Sequence, residues 1–196
     1  MSGLVIVAPM SVEAAIVGWR APGATVRRSG MGPAKAKAAA GELARASSGA
    51  MLVLGFCGGL DASSVPGEVI VADELYAAAD EGHEEARYRV RHAPELLARV
   101  TGLGLKVRSG PIVCTSKIIV GERRAQLHEH GAIAVDMESV WLAQAAAKQR
   151  PFGVVRVVLD SPEHELMRLG ALAGAFRAAR ALRRVARALH DWGPAD

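Results

Sequence analysis

The sequence contains little cysteine and no recognisable set of metal ligands. Cys57 and Cys114 are its two cysteines among 196 residues, too few for a disulfide scaffold or a four-cysteine zinc site. The six histidines show no paired spacing with cysteine or glutamate of the kind that metal centres use. We therefore expect a reducing, cytoplasmic environment and chemistry that uses neither a metal nor a cofactor.

Aromatic residues, excess charge and long apolar runs are also scarce. Aromatics make up 4% of the chain, and 24 Lys and Arg against 20 Asp and Glu leave a net charge of +4. Surfaces that bind nucleic acid combine a basic stripe with stacking aromatics or a reading motif, so nucleic acid is not an expected partner. No apolar run is long enough to span a bilayer, and no basic segment precedes the first one, which predicts neither export nor membrane insertion.

Short apolar runs alternate with helical stretches along the chain. Hydrophobic residues make up 51% of it, enough for a buried core. The apolar runs are Leu4–Ala8, Ala50–Leu54, Glu68–Ala72, Gly110–Cys114, Ala132–Val135 and Gly153–Leu159. The helical stretches are Pro33–Ala46, Ala93–Gly102, Met137–Lys148 and Leu166–His190. This alternation predicts a three-layer α/β fold in a single domain, residues 1–196, with Ala78–Arg91 as an exposed, charged excursion.

Two glycine clusters follow apolar or extended segments. In Ser29–Lys35 the third small position of a dinucleotide fingerprint falls on Lys35, and Pro33 occupies the turn, which argues against a nicotinamide site. The second cluster, Gly55–Leu60, is predicted to be a turn whose backbone N–H groups approach a ligand at the end of a strand. A tight turn with packing glycines is the alternative.

Three carboxylates stand at the ends of apolar elements: Glu13, Glu138 and Asp160. In a parallel or mixed sheet they would converge at the edge that carries Gly55–Leu60. Carboxylates that converge in a partly desolvated cleft raise at least one pKa, so that an acid and a base can coexist near neutral pH. A charge at a helix N-terminus for Glu13 and Glu138, and a helix cap for Asp160, are the structural alternatives.

An ordered set of motifs resembles one enzyme superfamily. The set comprises Val5–Glu13, Ser29–Gly32, Gly58–Leu60, Pro66–Val71, Val135–Ser139 and Arg156–Asp160. Together they resemble the nucleoside phosphorylase/nucleosidase superfamily, and within it the methylthioadenosine/S-adenosylhomocysteine nucleosidase and hopanoid-associated nucleoside phosphorylase branches. The resemblance implies a central mixed, mostly parallel sheet flanked by helices, and cleavage of the N-glycosidic bond of a purine nucleoside. It also implies a homo-oligomer, either a dimer or a trimer-based assembly.

The resemblance assigns a catalytic role to each acid. It implies that Asp160 gives a proton to the purine N7, that Glu138 hydrogen-bonds the ribose hydroxyls, and that Glu13 activates the attacking water. The substrate-binding positions that it implies are Met137, Arg156, Phe56, Cys57, Gly58, Ile118 and Ile119. Cleavage passes through an oxocarbenium-like ribose, which a carboxylate at the sugar and a proton on the leaving base both favour. We expect the substrate to be an adenosine derivative with an apolar 5′ substituent.

Phosphate could replace water as the nucleophile. A phosphate dianion needs arginines and backbone N–H groups. The candidates are Arg27, Arg28, Gly30 and Gly32. An ionised Glu13 would repel phosphate, so we favour water. Leu159 and Phe56 stand where members of the superfamily have serine or another small hydroxyl residue, which leaves a third hypothesis, a nucleoside-binding protein without turnover.

The last predicted helix combines arginines with an apolar stripe. The arginines are Arg177, Arg180, Arg183, Arg184 and Arg187, and they interleave with Leu172, Phe176, Leu182, Val185 and Leu189. Such a helix could lie on an anionic membrane surface. We favour the alternative, in which the apolar stripe packs on the protein's own sheet and the basic face is solvated.

Overall fold

The computed structural model describes residues 3–46, 49–78, 87–146, 150–163 and 171–193. The strands in these ranges are β1 Val5–Ala8, β2 Thr25–Arg28, β3 Met51–Gly59, β4 Val69–Ala77, β5 Arg87–Arg89, β6 Val107–Cys114, β7 Ala134–Asp136 and β8 Phe152–Asp160. The helices are α1 Ser11–Gly18, α2 Pro33–Ala46, α3 Ala93–Thr101, α4 Glu122–Glu129, α5 Ser139–Leu142 and α6 Ala171–Ala188, and a 3-10 turn, Ala143–Ala146, continues α5.

One mixed, mostly parallel sheet contains all of these strands, which confirms the predicted fold class. Its order is β2-β1-β3-β7-β6-β4-β5, and β8 pairs with both β3 and β4. Strands β3, β8, β4, β6 and β7 therefore close into a ring. Because β1, β3 and β8 are parallel, their carboxyl ends meet at one edge, where β7 reaches β3 from the opposite direction.

The ring buries its apolar residues against the helices. Val53, Val71 and Val157 are fully buried, as expected for strands covered on both faces. Helix α6 turns Leu182 and Val185 toward the core. Leu182, Val185 and Leu189 of the predicted apolar stripe thus pack on the protein itself, whereas Leu172 and Phe176 of the same stripe are exposed. Among the described helices, none is long and apolar enough to cross a membrane.

Each of the six predicted apolar runs overlaps a strand, but two edge strands and two short helices escaped prediction. β2 reads Thr-Val-Arg-Arg and β5 reads Arg-Tyr-Arg, and most of their residues are exposed. An edge strand is covered less than a central one, so its sequence need not be apolar. Helix α1 has eight residues, and the predominantly polar α4 buries only Arg124 and Leu127. Neither helix carries a long periodic signal.

The prediction of a turn at Gly55–Leu60 is wrong. β3 continues to Gly59 because β8 pairs with it from Met51 to Gly58, with a register shift between Cys57 and Gly58, and β7 pairs with it at Gly58 and Gly59. The shift places Gly58 opposite Asp160. The glycines therefore belong to a strand at the edge where the site forms.

The predicted helix bounds agree only in part with the structure. Pro33–Ala46 is a helix as predicted, and α3 ends one residue before the predicted limit. Helix α5 and its 3-10 turn cover part of Met137–Lys148, and residues 147–149 lie outside the described ranges. Residues 166–170 of the last predicted helix and residues 79–86 of the predicted excursion also lie outside the described ranges. Near its end, the predicted excursion contains strand β5.

Candidate active site

A cavity of about 200 Å³ opens at the edge where β1, β3 and β8 end. Its polar lining is formed by Glu13, Thr115, Lys117, Arg124, Asp136, Glu138 and Asp160. Its apolar lining is formed by Pro9, Met10, Met31, Phe56, Ile118, Ile119, Val135, Met137 and Leu159. The structure therefore brings all three predicted acids to one cavity: Glu13 from the start of α1, Glu138 from the segment after β7, and Asp160 from the end of β8.

Glu13 is held by two backbone donors. It lies in the first turn of α1, where its Oε2 accepts a hydrogen bond from Met10 N and its Oε1 accepts one from Phe56 N, both at 2.6 Å. The side chain is buried, and burial raises its pKa although Arg156 and the two N–H groups oppose the shift. A carboxylate with a raised pKa is a stronger base. Glu13 therefore joins the first turn of α1 to strand β3, in addition to placing a negative charge at the N-terminus of the helix.

Arg156 lies behind the cavity wall and organises the acids. It is fully buried, with Nη2 at 2.7 Å from Asp136 Oδ2 and at 3.4 Å from Glu138 Oε2. Burial alone would raise the pKa of Asp136, but Arg156 and hydrogen bonds from Cys114 and Ser139 hold it below its ordinary value. The structure therefore places Arg156 against Glu138 and outside the cavity lining.

Glu138 faces the cavity from the segment between β7 and α5. Its Oε1 accepts a hydrogen bond from Gly32 N at 2.9 Å, which Gly32 can offer because its φ of 89° is open to glycine. Burial raises the pKa of Glu138 to about 7, because the positive charge of Arg156 lowers it by less than burial raises it. This side chain can therefore change its charge near neutral pH.

Asp160 is paired with Arg124. At the end of β8 its Oδ2 accepts a hydrogen bond from Arg124 Nη2 at 2.6 Å, while Arg124 Nη1 donates to Gly59 O at 2.7 Å. Both side chains are buried. Arg124 therefore brings a buried positive charge against the carboxyl group of Asp160.

The apolar lining contains most of the predicted substrate-binding positions. Met137, Phe56, Ile118 and Ile119 contribute to it, and Cys57 and Gly58 line the same cavity. Burial raises the pKa of the Cys57 thiol, which therefore stays neutral. Of the predicted substrate-binding set, Arg156 is the member that does not reach the cavity surface.

A second cavity, of about 390 Å³, shares Pro9, Met10 and Met31 with the first. Its remaining lining residues are Ser11, Arg28, Ser29, Gly30 and Lys35. Arg28 Nη1 donates to Ser11 Oγ at 2.6 Å. In the described parts of the chain, neither Arg28 nor Lys35 has an acidic partner. Two of the candidate phosphate residues, Arg28 and Gly30, line this cavity, whereas Arg27 and Gly32 do not.

Groups of three or more histidine, cysteine, aspartate or glutamate side chains that could hold a metal ion are absent from the residues that the structure describes. Two of the histidines, His83 and His164, lie outside them.

The sequence profile of the phosphorylase superfamily matches residues 12–189, which includes all three acids. The chain belongs to the phosphorylase superfamily. The match spans α1 to α6 and so confirms the resemblance that the motifs predicted. A search of curated protein sequences finds no significant match.

Solved structures of the superfamily share this fold. A 5′-methylthioadenosine/S-adenosylhomocysteine nucleosidase from Neisseria meningitidis, solved with methylthio-immucillin-A, aligns with a TM-score of 0.80 at 19% identity and covers 98% of this chain and 100% of its own. The futalosine hydrolase of Helicobacter pylori aligns with a TM-score of 0.76 at 15% identity, over 95% of this chain and 94% of its own. At these identities the likeness shows the fold.

Several residues of this superfamily member's site were not predicted from the sequence. Tertiary packing brings Arg124 and Asp136 to the first cavity, and Ser11 and Lys35 to the second. Asp136 stands in the motif beside Glu138, and its polar character next to the apolar β7 was an available signal. Arg124 follows Arg123 in α4, a polar helix that had itself escaped prediction. The residues next to Arg124 in the sequence do not indicate that its side chain is buried.

Proposed function

We propose that this protein cleaves the N-glycosidic bond of a purine nucleoside, with water as the nucleophile. The observation that carries the proposal is a single cavity lined by Glu13, Glu138 and Asp160, which belong to two separate charged clusters. One cluster can act on the base while the other acts on the sugar and the water. The likeness in fold to solved nucleosidases supports cleavage of a nucleoside N-glycosidic bond in general.

In the proposed reaction, the bond between the ribose C1′ and the purine N9 breaks with its electron pair passing to the base. Asp160 supplies a proton to N7, which makes the base a better leaving group. Glu138 accepts hydrogen bonds from ribose hydroxyls and favours the positive charge that develops on the sugar. Glu13 accepts a proton from the attacking water, whose oxygen bonds to C1′. The products are the free base and the free sugar.

The substrate that we propose is an adenosine derivative with an apolar 5′ substituent. Met10, Met31 and Ile118 supply apolar surface to the cavity, and Met31 and Ile118 are exposed at its rim. Flexible methionine side chains adapt to apolar groups of different shape. Methylthioadenosine, S-adenosylhomocysteine and adenosylhopane are the candidates we would test.

Phosphorolysis is a second candidate because of the second cavity. Arg28 and Lys35 bring positive charge to it, and Ser11, Ser29 and the backbone at Gly30 add hydrogen-bonding groups. Phosphate binds to such sets of cations and N–H groups. In that case the attacking oxygen belongs to phosphate and the product is a ribose 1-phosphate. The negative charge of Glu13, which accepts a hydrogen bond from the shared residue Met10, opposes this alternative.

The deciding experiment measures release of adenine from each candidate nucleoside, with and without phosphate, and identifies the sugar by mass. We expect a free sugar at a rate that phosphate does not change. Asp160→Asn should reduce release by about 100-fold or more, whereas Asp191→Asn, at an exposed aspartate, should not. A ribose 1-phosphate would instead establish phosphorolysis, and Lys35→Gln should then raise the KM for phosphate more than Lys37→Gln.

Binding without turnover is the third outcome. Phe56 provides only its backbone N–H to Glu13, a contact that any residue other than proline can make, so its bulk does not remove the proposed base. If the protein binds adenine nucleosides and releases no base, the enzymatic proposal is wrong. We also propose a homo-oligomer, a dimer or a trimer-based assembly, in the cytoplasm, and light scattering tests the assembly.

A further inference from the structure

Arg124 is a buried cation at the end of the cavity that holds Asp160. It lies in the first turn of α4 and is 1% exposed. Its two terminal nitrogens divide between Gly59 O, at 2.7 Å, and Asp160 Oδ2, at 2.6 Å. The guanidinium is planar and rigid, so the contact with the backbone of β3 fixes the direction from which it meets Asp160.

The fold leaves space for this pair at Gly58. A Cβ atom at position 58 would lie 3.1 Å from Arg124 Nη1 and 3.3 Å from Asp160 Oδ1. Both distances are tighter than ordinary van der Waals contact, so a side chain there would displace the pair. The shift in register between β3 and β8 puts this glycine directly opposite Asp160.

We propose that Arg124 is a positioning residue for Asp160: it holds the carboxyl group at the cavity and keeps it charged between turnovers. The inference rests on the proposed function, in which Asp160 gives a proton to the base. Asp160 must then take up that proton against the attraction of Arg124. Among the described residues, Arg124 from α4 contacts Asp160 directly, and the nearby Cys57 thiol from β3 is neutral because burial raises its pKa.

The test is the dependence of kcat and kcat/KM on pH for Arg124→Gln and Arg124→Lys. Without the guanidinium, Asp160 keeps its proton to higher pH. The alkaline limb of the Arg124→Gln profile should therefore move upward by about one to three pH units. Below that limb, where Asp160 is protonated in both proteins, kcat should fall about tenfold because the carboxyl group is no longer held, with a smaller change in KM. Arg124→Lys keeps the positive charge but loses the planar, two-pronged guanidinium. The alkaline limb of this variant should therefore stay near that of the wild type, while kcat falls.

Arg123→Gln is the matched control, since it removes the same charge from the adjacent, less buried position of α4. Its profile should coincide with that of the wild type. Thermal melting identifies the folded fraction of each variant, and Arg124→Lys provides the test if Arg124→Gln does not fold. Two outcomes overturn this inference alone. If the alkaline limb does not move in Arg124→Gln, then Arg124 does not set the charge of Asp160; if the limb persists in Asp160→Asn, then it belongs to another group. A wild type that releases no base overturns the proposed function and this inference with it.

Discussion

Glu13, Asp136 and Glu138 compete for the positive charge of Arg156. Asp136 has the shortest contact, at 2.7 Å, and it also accepts hydrogen bonds from Cys114 Sγ, the backbone N–H of Glu138 and both donors of Ser139. These donors stabilise its charge, whereas Glu138 has a more distant contact with Arg156 and one backbone donor. The unequal supply of donors explains why the pKa is lowered at Asp136 and raised at the other two acids.

The raised pKa of Glu138 predicts a pH-dependent cost to stability. Its pKa is about 7 in the folded protein against 4.5 ordinarily, so the folded state binds more protons than the unfolded state between these values. Stability then falls as pH rises through this window, and the cost is fully present above pH 7. Glu138→Gln removes the cost, and its free energy of unfolding relative to the wild type should increase by about 1 to 3 kcal/mol between pH 4.5 and pH 8.

Denaturant unfolding at the two pH values measures this difference. The control is Glu129→Gln, which neutralises an exposed acid of α4 and should show no comparable change with pH. If the stability difference between Glu138→Gln and the wild type is the same at both values, then Glu138 is already charged at the lower pH and its raised pKa is wrong.

Strand β3 supports the charged residues because it carries glycine where they cross it. A Cβ atom at position 55 would lie 2.6 Å from Glu13 Oε1 and 2.9 Å from Arg156 Nη1. Side chains at this position would therefore occupy the space of the proposed base and of the arginine behind it. The glycines that suggested a ligand-binding turn belong instead to a continuous strand. Because Gly55 has no side chain, Glu13 of helix α1 and Arg156 of strand β8 can pack against it.

Gly55→Ala should displace Glu13 and Arg156. We expect a loss of about 1 to 3 kcal/mol in the free energy of unfolding, which is the usual cost of overpacking, together with slower base release. Gly18→Ala is the control, because a Cβ atom there has no neighbour within 4 Å. Wild-type kcat in a folded Gly55→Ala protein would contradict the role proposed for Glu13, since its carboxylate could then move without consequence.

The whole molecule depends on β8, which joins β3 to β4 and closes the ring. If this strand leaves, β3 and β4 each lose the hydrogen bonds that pair them with it, and the ring opens. Arg156 and Asp160, which lie on the same strand, connect the active-site charges to that closure. The ring therefore couples the integrity of the site to the fold.

A closed ring predicts that the chain unfolds as one unit. Equilibrium unfolding followed by far-UV circular dichroism and by tryptophan fluorescence should give a single transition with the same midpoint. Trp141 and Trp192 are buried in different parts of the core, while Trp19 is 74% exposed, so Trp19→Phe leaves the two informative fluorophores. Separate midpoints would show independently unfolding units and would contradict the single domain predicted from the sequence.

The sequence alone determined the fold class, because the apolar character of a buried strand is a local property. The runs at Leu4–Ala8 and Gly153–Leu159 identified central strands, whereas β2 and β5 escaped because edge strands are half exposed. The order of the motifs then identified the superfamily. Glu13, Glu138 and Asp160 could be named as candidates since each acid follows or ends an apolar element, where a charge is unexpected.

Only the tertiary structure decided which charges meet. Arg123 and Arg124 are adjacent in sequence, yet Arg123 is partly exposed and Arg124 pairs with Asp160, because α4 turns only the face that carries Arg124 and Leu127 inward. Arg156 proved to lie behind Glu138 because β8 is central and covered on both sides. Ion pairing, burial and the resulting pKa shifts depend on distances between elements far apart in the chain, and no local pattern of residues contains those distances.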